Sequence, residues 1–129
     1  MMIPRSLTGF DVNAAVGRML DRPELWWEAL GLFVEHFADW ESSWRGSVGD
    51  DALERKRVHA LRSGAVNVGA LDLAEVAGTL EAVLLKRAAG QMAEVPAGLR
   101  ERLQDCFCRT WTVAASARRE QEGAWRAQG

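Results

Sequence analysis

Between Trp26 and Trp44 apolar residues return every three or four positions: Trp26, Leu30, Phe33, Phe37, Trp40 and Trp44. At roughly 100° per residue that spacing lays them on one face of a helix. A face this large must be buried against other elements. The same spacing recurs in Val58, Leu61, Ala65 and Val68. It returns in Leu73, Val76, Ala77, Leu80, Val83 and Leu84, and again in Leu99, Leu103, Cys106, Phe107, Thr110 and Ala114. No stretch alternates apolar and polar residues for long, tyrosine is absent and valine is scattered, so strand signals are nearly missing. The chain is expected to be all-α.

Local punctuation sets the expected helix ends. A short helix starts at Asp11. A second follows in "DRPE", with Asp21 as N-cap, Pro23 in the first turn and Glu24 completing a capping box. It runs the length of the tryptophan stripe and stops near "RGSVGDD". The third starts at Asp50 or Asp51, with Glu54 three residues after Asp51, and ends at Gly69. The fourth starts at Asp72, capped reciprocally by Glu75, and carries Lys86 and Arg87 in its last turn, where cations suit the helix dipole. The fifth begins near Pro96, and the polar tail "REQEGAWRAQG" is expected to fray. Short connections favour antiparallel neighbours. The expected architecture is an up-down-up-down four-helix bundle with a short N-terminal capping helix, spanning residues 8–117, with 118–129 as the frayed tail.

The 129 residues suggest one domain, and a net charge of -2 gives no support to a general nucleic-acid or membrane-surface role. No apolar run approaches the ~20 residues that span a bilayer, and "MMIPRSLTGF" lacks a signal-peptide core. A soluble, cytoplasmic monomer is expected. Cys106 and Cys108 lack C-x-x-C spacing and have no nearby histidine. They are read as reduced thiols, with Cys106 the more buried.

The stretch "RKRVHALRSGAVNVGA" holds one of the two histidines. On the helical wheel Val58, Leu61, Ala65 and Val68 form the core arc, and His59 falls almost opposite. Its neighbours one turn away are Arg55, Lys56, Arg62 and Ser63, and Val66 shares this outward face. No Cys, His, Asp or Glu stands at these positions, so no metal site is expected there. A serine or cysteine triad lacks an acidic orienter one turn from His59. Cations repel a metal but attract a phosphoryl group, and imidazole is a nucleophile available near pH 7. The pattern therefore suits a phosphorylated histidine, though an ordinary solvated face with a chance histidine fits it equally. His36 flanks the second helix's stripe, has no cationic partners and is read as structural.

The segment "HALRSGAVNVGALDLAEVAGTLEAVL" resembles the signature of histidine-containing phosphotransfer (HPt) domains of bacterial two-component phosphorelays. His59, Leu61 and Gly69 match in place, and Arg62 stands where the family has lysine. "GFDVNAAVGRMLDRPELWWEALGLFVEHF" is similar to the start of many such domains, and the likeness covers about Thr8 to Ala117. The resemblance implies a four-helix bundle with an exposed mid-helix histidine that takes a phosphoryl group from a receiver-domain aspartate and passes it to another receiver. His59 would be the nucleophile, with Arg62, Arg55 and Lys56 stabilising the phosphoryl group. Ser63, Gly64 and Val66 would meet the partner. The partners would be response-regulator receiver domains, a hybrid sensor histidine kinase, or both. The chain would be a stoichiometric phosphocarrier rather than an enzyme, with no cofactor of its own, since Mg²⁺ belongs to the receiver. One departure stands out. The family usually has glycine four residues after the histidine, where this chain has Ser63, with Gly64 next. Two rivals remain: a degenerate HPt-like module that docks a receiver or kinase without carrying phosphate, and a purely structural helical bundle.

Overall fold

The computed structural model describes residues 2–128. Six helices follow one another: α1 (Val12–Arg18), α2 (Pro23–His36), α3 (Trp40–Arg45), α4 (Asp51–Val68), α5 (Leu71–Ala88) and α6 (Leu99–Gln128). Among the described residues there is no strand, only an isolated antiparallel bridge between Leu7 and Phe10. No helix among them is long and apolar enough to cross a membrane. The all-α expectation therefore holds. α4 packs on α1, α2, α3 and α5, while α6 packs on α2 and α5.

The expected stripes form the core. Trp26, Leu30, Phe33, Phe37, Trp40 and Trp44 are all buried, as are Val58, Leu61, Ala65 and Val68 of α4. Leu99, Leu103, Cys106, Phe107, Thr110 and Ala114 of α6 are buried with them. Buried indoles carry a polar N–H that needs an acceptor. Trp26 donates to the Val68 carbonyl at 3.0 Å and Trp40 to the Arg57 carbonyl at 2.9 Å, so two tryptophans from separate helices strap onto α4. Trp111 of α6 donates to the Val34 carbonyl of α2 at 2.9 Å. Trp125 is left exposed.

Several helix ends differ from the sequence expectation. The tryptophan stripe does not belong to one helix: α2 ends at His36 and α3 begins at Trp40. The turn between them is itself nearly helical, with Phe37 N–H on the Phe33 carbonyl and Trp40 N–H on the Phe37 carbonyl, both at 3.1 Å. The three- and four-residue rhythm therefore passes through the break unmarked. Asp21 is not the N-cap of α2. It sits in the left-handed region at φ 53°, and Arg22 occupies the cap, its guanidinium on Glu24 at 2.7 Å. α5 starts at Leu71 with Ala70 as its cap, so the Asp72–Glu75 capping pair does not form; the Asp72 N–H instead reaches the Gly9 carbonyl. α6 starts at Leu99 and continues as helix to Gln128 instead of fraying after Ala117; Gly129 lies outside the described residues.

Asp50 caps α4, its carboxylate accepting from the Leu53 N–H. Glu54, expected to help at that end, has another task. Its side chain is fully buried, grips Arg100 of α6 through two hydrogen bonds of 2.9 and 3.0 Å, and accepts from the Trp44 indole at 3.0 Å. Trp44 in turn stacks on Trp40, and Trp40 packs on Phe107. One buried carboxylate thus joins α3, α4 and α6. At the other end of α4, Gly69 adopts φ 80°, and a Cβ there would lie 2.6 Å from the Asp11 carbonyl oxygen. The Asp11 N–H also donates to the Gly69 carbonyl at 2.8 Å. The glycine that closes the helix also lets the start of α1 lie against it.

Gly64 is placed differently from its expected role in docking. It faces α2, where a Cβ would lie 2.6 Å from the Phe37 ring. Arg62 and Ser63 point outward from the same turn and are exposed.

Two stability predictions follow from these contacts. Glu54→Gln should destabilise the fold by about 1.5–3 kcal/mol, the worth of a hydrogen bond to a charged group, since Arg100 loses its buried partner while keeping about a third of its own side chain in water. Urea unfolding reads this directly, and an unchanged midpoint would show that Arg100 finds water at no cost. Gly64→Ala should cost about 1–3 kcal/mol through overpacking, despite a helix-propensity gain of up to ~1 kcal/mol. Phe37 is packed on Phe33, with ring centroids 5.2 Å apart, so it has little freedom to yield. A melting temperature at or above that of the parent would refute the overpacking argument.

Candidate functional site

α4 is regular through its middle, and its core arc turns Val58 and Leu61 inward. His59 is thereby carried to the outer face, with about half of its side chain (53%) exposed. α5 lies alongside and buries Leu73, Ala77, Leu80 and Leu84. Glu81 falls on that same buried face, one turn after Ala77, and only 10% of its side chain is exposed.

Glu81 is the hub of the site. Its Oε2 lies 2.5 Å from His59 Nδ1, and its Oε1 accepts from Arg62 Nη1 at 2.9 Å. Arg55 Nη1 approaches Oε2 at 3.7 Å. A carboxylate oxygen accepts, so Nδ1 is the donor and Nε2 keeps the lone pair. Gly78, one turn before Glu81, makes room for this arrangement: a Cβ there would lie 3.3 Å from Arg62 Nε. The result is a groove of about 600 Å³ between α4 and α5, with Arg55, His59 and Arg62 on one wall and Gly78, Glu81 and Leu85 on the other.

Of the residues expected at this site, the structure gathers His59, Arg55 and Arg62 around one carboxylate. The two arginines are therefore not free cations waiting for a ligand. Lys56 is exposed on the same helix and enters no ion pair among the described residues. Ser63 and Val66 are exposed one and two turns beyond His59, on its outward face, whereas Gly64 packs against Phe37.

Glu81 was missed by reasoning from α4 alone. The acidic partner of His59 comes from the neighbouring helix, α5, which the wheel of α4 does not contain. A signal was present: an acid standing among Ala77, Leu80 and Leu84 on an apolar stripe needs partners, since a buried carboxylate is costly without them. The structure also removes the stated objection to a serine triad. Even so, Glu81 is the hydrogen-bond partner of His59 among the described residues, and no bond joins it to Ser63. Mid-helix backbone N–H groups are already committed to the helix, so no backbone oxyanion donor stands beside His59.

The remaining reactive side chains are quiet. Among the described residues no cluster of three or more His, Cys, Asp or Glu could hold a metal ion. Cys106 is buried beside Thr110. Cys108 is exposed, and partial burial, together with the hydrogen bond from its thiol to Glu41, pushes that thiol up, away from the reactive thiolate. His36 lies on the surface, edge-on to Phe37 at 4.8 Å, with no place in the His59 groove.

What the arrangement offers chemically is one nitrogen nucleophile of fixed orientation, backed by a carboxylate and flanked by two guanidinium groups. No family model, no curated protein and no solved structure matches the chain.

Proposed function

We propose that the chain is a phosphorelay intermediate of the HPt type, accepting a phosphoryl group on His59 from a receiver-domain aspartate and passing it to a second receiver. On this reading α2, α4, α5 and α6 are the up-down-up-down four-helix bundle, and α1 is its cap. The observation that carries the proposal is the half-exposed His59 whose Nδ1 is held by Glu81, with Nε2 in no hydrogen bond among the described residues.

The chemistry follows from that geometry. The Nε2 lone pair attacks phosphorus in line, a nitrogen–phosphorus bond forms, and the bond from phosphorus to the aspartyl oxygen breaks. The aspartate leaves as a carboxylate with the bonding electrons. The ring gains positive charge while keeping its Nδ1 hydrogen, and the Glu81 carboxylate offsets that charge across a short hydrogen bond. In the second half-reaction an aspartate of the next receiver attacks the phosphorus and Nε2 leaves. Such transfers pass through a loose, highly charged transition state, so positioning and electrostatics do most of the work. Arg62 spends one N–H on Glu81 and has others to offer the phosphoryl oxygens. Mg²⁺ is supplied by the receiver.

The second reading, a docking module that carries no phosphate, is favoured by one residue, Ser63, in place of the smaller residue usual there. Labelling separates the two. The full chain should take label from acetyl-phosphate-loaded receivers of the same genome. The label should be lost in acid, should survive base, and should be absent from His59→Gln, while that variant keeps its helicity because Arg55 and Arg62 still hold the Glu81 carboxylate. Undiminished labelling of His59→Gln would end the assignment, and tight receiver binding without label would leave the docking module.

Glu81→Gln tests the orienting role. It keeps the side-chain volume and removes the charge, so transfer at saturating receiver should slow by about tenfold to a hundredfold, the worth of one charged hydrogen bond. The label should still map to His59. A variant that transfers at the parent rate would reduce Glu81 to a structural clamp for the two arginines.

A further inference from the structure

Beyond His59 along α4 the surface dips into a second depression, of about 420 Å³, lined by Arg18, Arg62, Ser63, Val66 and Asn67. Arg18 comes from the last turn of α1, and its Nη2 donates to the Val66 carbonyl at 2.8 Å. That bond ties a surface arginine to a helix backbone, so its guanidinium is held in place over the depression. A guanidinium has five N–H donors, and the rest are not taken up by any carboxylate of the chain among the described residues. Arg62 also lines the depression, and Ser63 and Asn67 add a hydroxyl and an amide to its lining.

We infer that this depression receives an acidic side chain of the docking receiver, and that Arg18 selects which receivers engage. The inference rests on the phosphorelay reading, and it gives a role to a residue of α1 to which the resemblance assigns none. Two arguments carry it. The α4 residues of the depression lie three to eight residues beyond His59, or about 4.5–12 Å along the helix axis. A partner covering roughly 800 Å² around His59, the usual footprint per partner, must cover it too. The charge also fits. Arg18 and the N–H groups of Arg62 that Glu81 does not take present two planar cations suited to a carboxylate. The acid that meets them would stand beside, and apart from, the oxygen ligands that hold the receiver's Mg²⁺. Ser63 then has a position in the site: its hydroxyl is a donor lining the depression, where glycine would offer none.

The test measures binding and transfer separately on the full chain, using a receiver that loads it. Arg18→Gln keeps an amide donor for the Val66 carbonyl and removes the charge; Arg18→Glu reverses it. Arg109→Gln, on α6, controls for net charge. Circular dichroism and melting establish that each variant is folded. Arg18→Gln should raise the half-saturating receiver concentration about tenfold, and Arg18→Glu more, with the saturated rate lowered less than twofold and the salt dependence of binding flattened. Arg109→Gln should stay within twofold of the parent. If the parent transfers label and both Arg18 variants bind receiver as the parent does, the inference is wrong and the phosphorelay reading stands. If no label is transferred but receiver binding still depends on Arg18, the inference stands and the phosphocarrier reading falls. A drop in the saturated rate without a change in binding would also overturn it, by placing Arg18 at the phosphoryl group.

Discussion

The buried pair of Glu54 and Arg100 holds the helical frame together. α4 is in contact with α1, α2, α3 and α5 through apolar surface, while its tie to α6 includes this one carboxylate held by two hydrogen bonds. The Trp44 indole takes the remaining acceptor capacity, and the Trp40–Trp44 stack carries the constraint on to Phe107 of α6. Arg100 is itself driven further into its charged form, chiefly by the hydrogen bond to Glu54 and against the cost of partial burial. With that end of α4 fixed, and Gly69 closing the other against Asp11, the helix has little freedom to rotate about its axis. The outward direction of His59 is set by this frame, not by anything local to the histidine.

The two carboxylates of α4 and α5 have contrasting surroundings. Glu54 faces inward, is sealed from water and has no free partner for an incoming group. Glu81 is nearly as buried, but its partners Arg55, His59 and Arg62 stand at the surface, between about a third and a half exposed. The first is a structural tie. The second transmits the position of α5 to the outer face of α4, so the packing of these two helices is built into the geometry of the groove.

Much of the core was legible in the sequence because burial and helical periodicity coincide. Leu30, Leu61, Leu80 and Leu103 read as interior positions and are interior. Helix ends were less legible. Aspartates at the starts of α2 and α5 looked like caps, yet Asp21 is taken up by a left-handed turn, and Asp72 lies inside the first turn of α5 with its N–H on the Gly9 carbonyl. The break between α2 and α3 was hidden because a tight turn of near-helical bonds preserves the rhythm of the stripe. At the site, the outward side of α4 was readable from one helix alone, since its wheel needs no partner. Glu81 and Arg18 were not, because nothing in the wheel of α4 says which residues of α5 and α1 lie beside it. Gly64 looked like docking surface by its closeness to His59 in sequence, yet one residue of helical advance turns it toward Phe37.

The hydrogen bond from His59 Nδ1 to Glu81 also bears on entropy. An exposed imidazole ordinarily samples several χ1 wells and flips freely about χ2. Here a half-turn of the ring would break its bond to the carboxylate, so Nε2 holds one heading in the folded chain. Rotamer freedom is surrendered when the chain folds, and the cost falls on the stability of the fold. On the proposed phosphorelay reading, the barrier to transfer would be spared the reorganisation that a freely rotating histidine makes at each encounter.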